Sequence, residues 1–284
     1  MGVSIAVQKG VQELRYKLNK LHDELLDELV VCETLVRLEL MGGYYRYSHI
    51  KIPLSASLPC LKILYLHNVT FFDQFLMQRL FSSSKMLEEL TVYSCLSHTS
   101  GHGIISTRQL KVLRIKNCNF KDGFFEIDAP NLAYLIYSRN VGVKIFPSWK
   151  HSCSLVKAEL NFSWNPYSVD SYSIESDGEM LKTAAYKTRE LYLFSGSVEV
   201  LLKLAYQEQM PMFHSLSKLH LCYIYSNSWK YVTSLLDKSP QLETIILEEG
   251  LLHCSHYLAL PPSEPFSCHA QVIEVRKFCG SNVM

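Results

Sequence analysis

The chain has 284 residues, of which 48% are hydrophobic and 19% are charged, a composition typical of folded globular proteins. Its formal net charge of +1 gives no long-range attraction to nucleic acid or to an anionic membrane surface. The longest apolar runs fall short of the ~18 residues that a membrane-spanning helix needs. The amino terminus, MGVSIAVQKG, lacks the apolar core of a secretory signal.

The nine cysteines occur singly and at irregular intervals, without any C-x-x-C pair. An odd number of scattered cysteines fits a reducing compartment better than a disulfide framework. We therefore expect a cytoplasmic or nuclear protein.

One pattern of apolar residues, close to L-x-x-L-x-L, returns ten times along the chain. Successive copies begin 22 to 28 residues apart, with one interval of 33, and leucine-rich repeats recur every ~20–29 residues. The copies begin at Val11, Leu35, Leu61, Leu87, Leu110, Leu132, Leu155, Thr188, Leu216 and Leu242.

The spacing within each copy predicts a short strand, because side chains two residues apart on a strand point to the same side. Stacked copies would bury a continuous apolar column that no single copy could bury alone. The predicted fold is an α/β leucine-rich-repeat solenoid over residues 1–250, in about ten repeats. Parallel strands would form its concave face, and short helices and turns its convex face. The alternative is an ordinary α/β or all-β domain with many strands.

The segments between the strands give three helical stripes and one insertion. Apolar residues at helical spacing lie in 72–81, in 198–205 and in 229–236. The long interval contains Asn165–Met180, which is rich in Ser, Asp and Gly, and it predicts a surface loop. Cys95 and Cys118 fall where the chain leaves a strand, so they are interpreted as turn-packing thiols, not as nucleophiles or metal ligands.

The positions that alternate with the buried column should line the concave face. Mixed charges there argue against a nucleic-acid track, whereas Tyr and Arg are enriched at protein-interface hot spots. We predict a protein- or peptide-docking face formed by Tyr65, Tyr93, Arg114, Lys116, Tyr134, Tyr192 and Phe194. The alternative is that these are ordinary exposed strand residues, since aromatics favour strands.

No arrangement of residues predicts catalysis, a cofactor or a metal site. His98 and His102 lie in a Ser/Gly-rich turn, and the cluster His253-Cys254-Ser255-His256 is too compact to complete a tetrahedron alone. Glu88-Glu89 and Glu248-Glu249 are predicted to be solvated strand edges. We therefore expect a protein that is not an enzyme.

Several segments resemble the plant F-box/leucine-rich-repeat proteins that carry an FBD region. CETLVRLEL (32–40) is similar to the opening repeat of that family, and FEIDAPNLAYL (125–135) and KSPQLETIIL (238–247) are similar to later repeats. KIPLSASLPCLKILYLHNVTF (51–71) also resembles the family, and SEPFSCHAQVIEVRKFCG (263–280) is similar to the start of the FBD region, including its edge strand. Residues 251–284 are therefore expected to form a partial FBD-like region.

The resemblance implies capture of a protein substrate for a cullin-based ubiquitin ligase. Members of the family bind a Skp-type adaptor through an F-box that precedes a segment like GVSIAVQKGVQELRY, with which this sequence opens. We therefore expect that the chain has no F-box of its own and that adaptor binding is doubtful. Two alternatives stay open: a hormone-like small-molecule receptor on the concave face, or a truncated, non-functional member of the family.

Overall fold

A computed structural model of the chain describes most of the repeat region. The described residues are 2–18, 31–43, 48–50, 57–71, 80, 82–97, 102–120, 124–139, 144–147, 155–162, 171–185, 187–225, 229–249, 251–252 and 269–276. The chain divides into two compact units, Met1–Ser154 and Leu155–Met284.

The first unit is built on a parallel sheet of six strands. Each strand pairs with the next one in this order: β1 (Glu13–Lys17), β2 (Arg37–Met41), β4 (Ile63–His67), β6 (Glu89–Tyr93), β9 (Val112–Phe120) and β11 (Tyr134–Arg139). The helix α1 (Gly2–Gln8) precedes β1.

Short strands in the connections of the first unit form further parallel pairs, which the repeat pattern did not predict. β3 (Ser48–Ile50), β5 (Val69–Phe71) and β7 (Leu96–Ser97) pair in that order, and β7 also pairs with the last residues of β9. β8 (His102–Ser106), β10 (Phe124–Asp128) and β12 (Lys144–Pro147) form a separate three-stranded sheet.

The second unit repeats the parallel arrangement with longer helical connections. Its strands pair in the order β13 (Lys157–Phe162), β14 (Glu190–Phe194), β15 (Lys218–Cys222), β17 (Thr244–Leu247) and β19 (Val272–Val275). Its helices are α2 (Ser171–Ala185), α3 (Ser195–Tyr206) and α4 (Trp229–Asp237). β16 (Ile224–Tyr225) pairs with β18 (Leu251–Leu252).

The predicted repeats coincide with the strands. In all ten copies the strand begins two residues after the first position of the pattern. The apolar positions are buried in consecutive repeats, for example Leu61, Leu64 and Leu66 in one repeat and Leu87, Leu90 and Val92 in the next. Together these findings confirm an α/β leucine-rich-repeat fold.

A left-handed backbone position that the pattern did not reveal recurs directly after β4, β6 and β15 and within the long strand β9. Asn68, Ser94, Asn117 and Tyr223 have φ angles between 50° and 55°. In each case the next residue turns inward, and Val69, Cys95, Cys118 and Ile224 are buried. Asparagine tolerates this conformation better than most residues, whereas Tyr223 adopts it at a steric cost.

Both thiols predicted to pack in turns are buried, but only Cys95 lies in a connection, between β6 and β7, whereas Cys118 lies within β9 next to the left-handed Asn117. Cys95 Sγ donates to the carbonyl oxygens of Leu66 and Tyr93, and Cys118 Sγ donates to those of Val92 and Lys116. Burial, and then the neighbouring Cys118 thiol, raises the pKa of the Cys95 thiol well above its ordinary value. A thiol that stays protonated is a poor nucleophile.

The prediction that Asn165–Met180 forms a surface loop is wrong for residues 171–180, which begin helix α2. Asp177, Gly178 and Met180 are buried. A Cβ atom on Gly178 would lie 3.1 Å from Leu204 Cδ2, so the glycine allows α2 and α3 to approach closely. Residues 165–170 lie outside the described part of the chain. The composition indicated turns because it does not reveal which residues a neighbouring helix covers.

Two of the three helical stripes are confirmed as α3 and α4, in which Val198, Leu201, Val232, Leu235 and Leu236 are buried. Most of the first stripe, at 72–79 and 81, lies outside the described residues, although 80 and 82–83 are helical.

The buried column should dominate the stability of the first unit. We expect Leu90→Ala to lower the free energy of unfolding by about 2–5 kcal/mol, because it leaves a cavity in a fully buried site. Thr91→Ala is the matched control on the opposite side of the same strand, and we expect a change within about 0.5 kcal/mol. Urea unfolding followed by circular dichroism measures both, and equal losses would contradict the assignment of the two faces.

Candidate functional site

The side of the first-unit sheet that faces away from the leucine column carries five of the predicted docking residues. We call it the first-unit face. In-register pairing aligns its side chains strand by strand, because Tyr65 pairs with Thr91, and Tyr93 pairs with His67 and with Lys116. The face consists of Glu13, Arg15, Lys17, Arg37, Glu39, Met41, Ile63, Tyr65, His67, Glu89, Thr91, Tyr93, Val112, Arg114, Lys116, Tyr134, Ile136 and Ser138.

Tyr65 and Tyr93 are brought together by His67, which lies on the same face but was not among the predicted docking residues. The His67 ring centroid lies 6.1 Å from that of Tyr65 and 4.9 Å from that of Tyr93, both in tilted geometry. Asn117 Nδ2 donates to the Tyr93 hydroxyl at 3.4 Å. Burial lowers the pKa of His67, so its ring is neutral at neutral pH. We call Tyr65, His67 and Tyr93 the aromatic cluster.

Arg114 and Tyr134 form a second contact group on the same face. The Arg114 guanidinium carbon lies 5.5 Å from the Tyr134 ring centroid, within the range of a cation–π interaction. Arg114 Nη1 donates to Glu89 Oε2 at 3.2 Å across the strand pair. Lys116 lies directly beside Tyr93 in the strand register. All five predicted residues of the first unit therefore lie on one face.

A buried carboxylate, Glu39, lies on β2, near the edge of the first-unit face that is farthest from Arg114 and Tyr134. The Glu39 side chain is only 10% exposed and binds both Arg15 and Arg37. The hydrogen bond from Arg37 to Glu39 raises the pKa of the arginine. A buried carboxylate keeps its charge when it is paired and hydrogen-bonded in this way.

The remaining predicted residues, Tyr192 and Phe194, lie on the corresponding face of the second unit. The Tyr192 ring stacks on His220 with centroids 3.7 Å apart and an interplanar angle of 12°. Lys157 Nζ lies 4.5 Å from the Tyr192 ring centroid and donates to its hydroxyl at 3.1 Å. Phe194 stacks on Tyr223, with centroids 6.3 Å apart.

His220 is the centre of the second-unit network, although it was not among the predicted docking residues. His220 is buried, with only 1% of its surface exposed to solvent. Its Nε2 lies 3.0 Å from Glu190 Oε1, and its Nδ1 lies 2.9 Å from Glu248 Oε1. Each ring nitrogen therefore lies within hydrogen-bonding distance of a carboxylate oxygen. Arg276 Nη1 binds the same Glu248 oxygen at 3.3 Å.

Two expectations about this side of the sheet need correction. Ile136, Cys222 and Ile246 occupy alternate positions that were predicted to be on the open face, but they are buried. Glu248 is not a solvated strand edge, because its side chain is 18% exposed and binds His220 and Arg276. Neighbouring strands lie ~4.8 Å apart, so large side chains cover smaller or centrally placed neighbours on the same face.

Among the described residues, no group of three or more His, Cys, Asp or Glu side chains is placed to hold a metal ion. The cluster at 253–256 and His98 lie outside those residues. In the same part of the chain, no helix is both long and apolar enough to cross a bilayer.

The repeating parallel strand, the buried leucine column and the inward residue after each left-handed turn define a leucine-rich-repeat protein. A family model described as the leucine-rich repeats of FBD-associated F-box protein At5g56370 matches residues 3–159. The chain belongs to this family of plant F-box/leucine-rich-repeat proteins.

Relatives from Arabidopsis thaliana agree with this assignment. The chain is 32% identical to F-box/LRR-repeat protein At1g06630 over 87% of its own length and 59% of the relative. It is 28% identical to F-box/LRR-repeat protein At4g14103, over 90% of the chain and 68% of the relative. The chain spans about half to two thirds of the length of the first curated relatives that it matches. No solved structure matches it significantly.

The buried histidine should be essential to the second unit. We expect His220→Ala to lower the free energy of unfolding by about 2–4 kcal/mol, because it leaves a cavity in a buried site and removes the polar contacts of the ring with Glu190 and Glu248. His214→Ala, at an exposed turn position, is the control and should change stability by less than about 0.5 kcal/mol. Equal effects in thermal or urea unfolding would contradict the proposed role of His220.

The same network predicts a dependence of stability on pH. Burial raises the pKa of Glu190, but the hydrogen bond from Tyr192 and the charges of Lys157 and His220 outweigh burial and hold it below its ordinary value of 4.5. A carboxyl group with a lowered pKa stabilises the fold above its unfolded-state pKa, and this stabilisation is lost as the pH falls.

We therefore expect Glu190→Gln to destabilise the protein more at about pH 7 than at about pH 3.5. The exposed Glu243→Gln serves as the control, with no comparable difference between the two pH values. Chemical unfolding at both pH values measures the effect, and a larger loss at the lower pH would contradict the assignment.

Proposed function

We propose that the repeat region is a non-catalytic protein-recognition scaffold that binds a protein partner on the first-unit face. The observation that carries the proposal is the aromatic cluster of Tyr65, His67 and Tyr93, half-exposed on a sheet whose strands are paired in register. Rigid aromatic side chains lose little conformational entropy on binding. Aromatic residues together with arginine are enriched among interface hot spots.

The arrangement around the cluster supports the same function. The Arg114–Glu89 ion pair and the Arg15–Glu39–Arg37 group lie on either side of it. A central apolar patch surrounded by charged residues is typical of protein interfaces, in which the charges set specificity and association rate more than affinity.

The family assignment supports a more specific role. The relatives are named F-box/LRR-repeat proteins, so the chain would supply the part that selects a substrate for an SCF-type ubiquitin ligase. In this proposal an F-box binds the Skp-type adaptor, and the repeats bind the protein to be modified. The protein would act in the cytoplasm or nucleus, because nine cysteines that occur singly and at irregular intervals fit a reducing compartment.

A hormone-like ligand is a weaker candidate for the same face. Such a ligand needs basic side chains that are open to it, whereas Arg114 is engaged by Glu89 and by the Tyr134 ring. The half-exposed aromatic groups instead form a broad surface across adjacent strands, which suits a peptide or protein.

The test is a quantitative pull-down with the double variant Tyr93→Ala/Arg114→Ala. We expect the amount of each partner captured by the double variant to fall about tenfold or more below the amount captured by the native chain. Two hot-spot residues typically contribute over 2 kcal/mol together to binding. Mass spectrometry with isotope labels measures the ratio for each captured protein.

The matched control is Tyr206→Ala, which removes a tyrosine that is 77% exposed at the end of α3. This variant should keep every partner. If the double variant folds normally and keeps every partner as well, the first-unit face is not the recognition surface.

A further inference from the structure

The first-unit face carries an excess of positive charge that the chain's net charge of +1 does not reveal. At the positions of this face its strands hold five cationic side chains, namely Arg15, Lys17, Arg37, Arg114 and Lys116. The same strands hold three carboxylates, namely Glu13, Glu39 and Glu89. The surplus is therefore two positive charges on one face.

Burial makes this surplus larger at the surface than the count suggests. Glu39 is 10% exposed, whereas its partners Arg15 and Arg37 are 71% and 37% exposed. Glu89 is paired with Arg114, and the two side chains are 41% and 32% exposed, so this pair does not add to the surplus. The effect of burial comes from Glu39 alone, whose two arginine partners are more exposed to solvent than the carboxylate is.

The strand β4, one of the two central strands of the face, carries no charged side chain, whereas the other, β6, holds Glu89. β4 contributes Ile63, Tyr65 and His67, all partly exposed, and burial lowers the pKa of His67 so that the ring is neutral at neutral pH. An apolar or aromatic side chain can be desolvated on this strand without burying an unpaired charge.

The second-unit face has the opposite balance. Its strands and the residues that directly follow them hold Glu159, Glu190, Glu248 and Glu274 against Lys157, Lys218 and Arg276, with His220 between two of the carboxylates. The surplus of positive charge is therefore found on the first-unit face and not on the second-unit face.

We propose, on the basis of the function proposed above, that the partner is an acidic protein segment with an aromatic or aliphatic anchor. The anchor packs on the aromatic cluster of Tyr65, His67 and Tyr93. Aspartate or glutamate residues on either side of the anchor lie toward Lys17 and Arg15 in one direction and toward Lys116 in the other.

The experiment uses a bead-displayed library of random peptides and the purified chain. Six strands ~4.8 Å apart span about 24 Å, and an extended peptide covers ~3.3 Å per residue, so peptides of about ten residues cross the whole face. We expect the enriched peptides to contain Phe, Tyr, Trp or Leu flanked by Asp or Glu. Their affinity should fall as the salt concentration rises, because exposed charges are screened.

One enriched peptide is then synthesised and titrated by fluorescence anisotropy against two variants with the same change of charge. We expect Lys17→Gln/Lys116→Gln to weaken binding about five- to tenfold, since two rim charges are removed. The control Lys85→Gln/Lys187→Gln removes two exposed turn lysines and should leave the affinity within about twofold.

The outcomes separate this inference from the function on which it rests. Enrichment of neutral or basic peptides whose binding is lost in Tyr93→Ala would overturn the acidic-partner proposal and leave the recognition face intact. Enriched peptides that bind Tyr93→Ala/Arg114→Ala as well as the native chain would count against the face itself. Tighter binding of oligouridylate than of the acidic peptide would overturn the proposal in favour of single-stranded nucleic acid, which also binds aromatic and cationic surfaces.

Discussion

The in-register pairing of parallel strands is the constraint on which the rest of the structure depends. The main-chain bonds between repeats begin just before each strand: Lys62 N donates to Val36 O, Glu88 N to Lys62 O and Lys111 N to Glu88 O. In the second unit, Ser217 N donates to Arg189 O and Glu243 N to Ser217 O in the same way. Because the strands cannot slip against one another without exposing leucines, each face consists of aligned columns of side chains.

The columns explain why polar groups on the face interact across strands. Glu39, Glu89 and Glu190 each bind a cationic side chain on a neighbouring strand, and His220 contacts carboxylates from both sides. Exposed ion pairs of this kind contribute little to stability individually. Those that include the buried His220 and Glu39 matter more, because removing one partner leaves a desolvated charge. The face is thus partly organised before any partner arrives, which lowers the entropic cost of binding.

The aromatic cluster and its charged surroundings are the features of this leucine-rich-repeat chain that would distinguish one binding partner from another. A repeat protein can change its partner by changing the side chains on one face while the leucine column on the other side stays the same. In this chain the first-unit face combines a neutral aromatic cluster with surplus positive charge, and the second-unit face is organised around one buried histidine. The proposed recognition of an acidic, anchored segment follows from the first of these combinations.

The amino-acid sequence by itself determined where the repeats begin and which residues form the buried column, because the leucine spacing is set by strand geometry alone. It also identified Tyr65, Tyr93, Arg114, Lys116 and Tyr134 as neighbours on one face, since alternation along a strand assigns the side of each residue. It missed the helix at 171–180, because Gly178 indicates a turn until Leu204 is seen to pack against it. It also missed the burial of His220 and Glu39 and the linking role of His67. These features depend on which side chains of adjacent strands cover one another, and only the tertiary structure decides that.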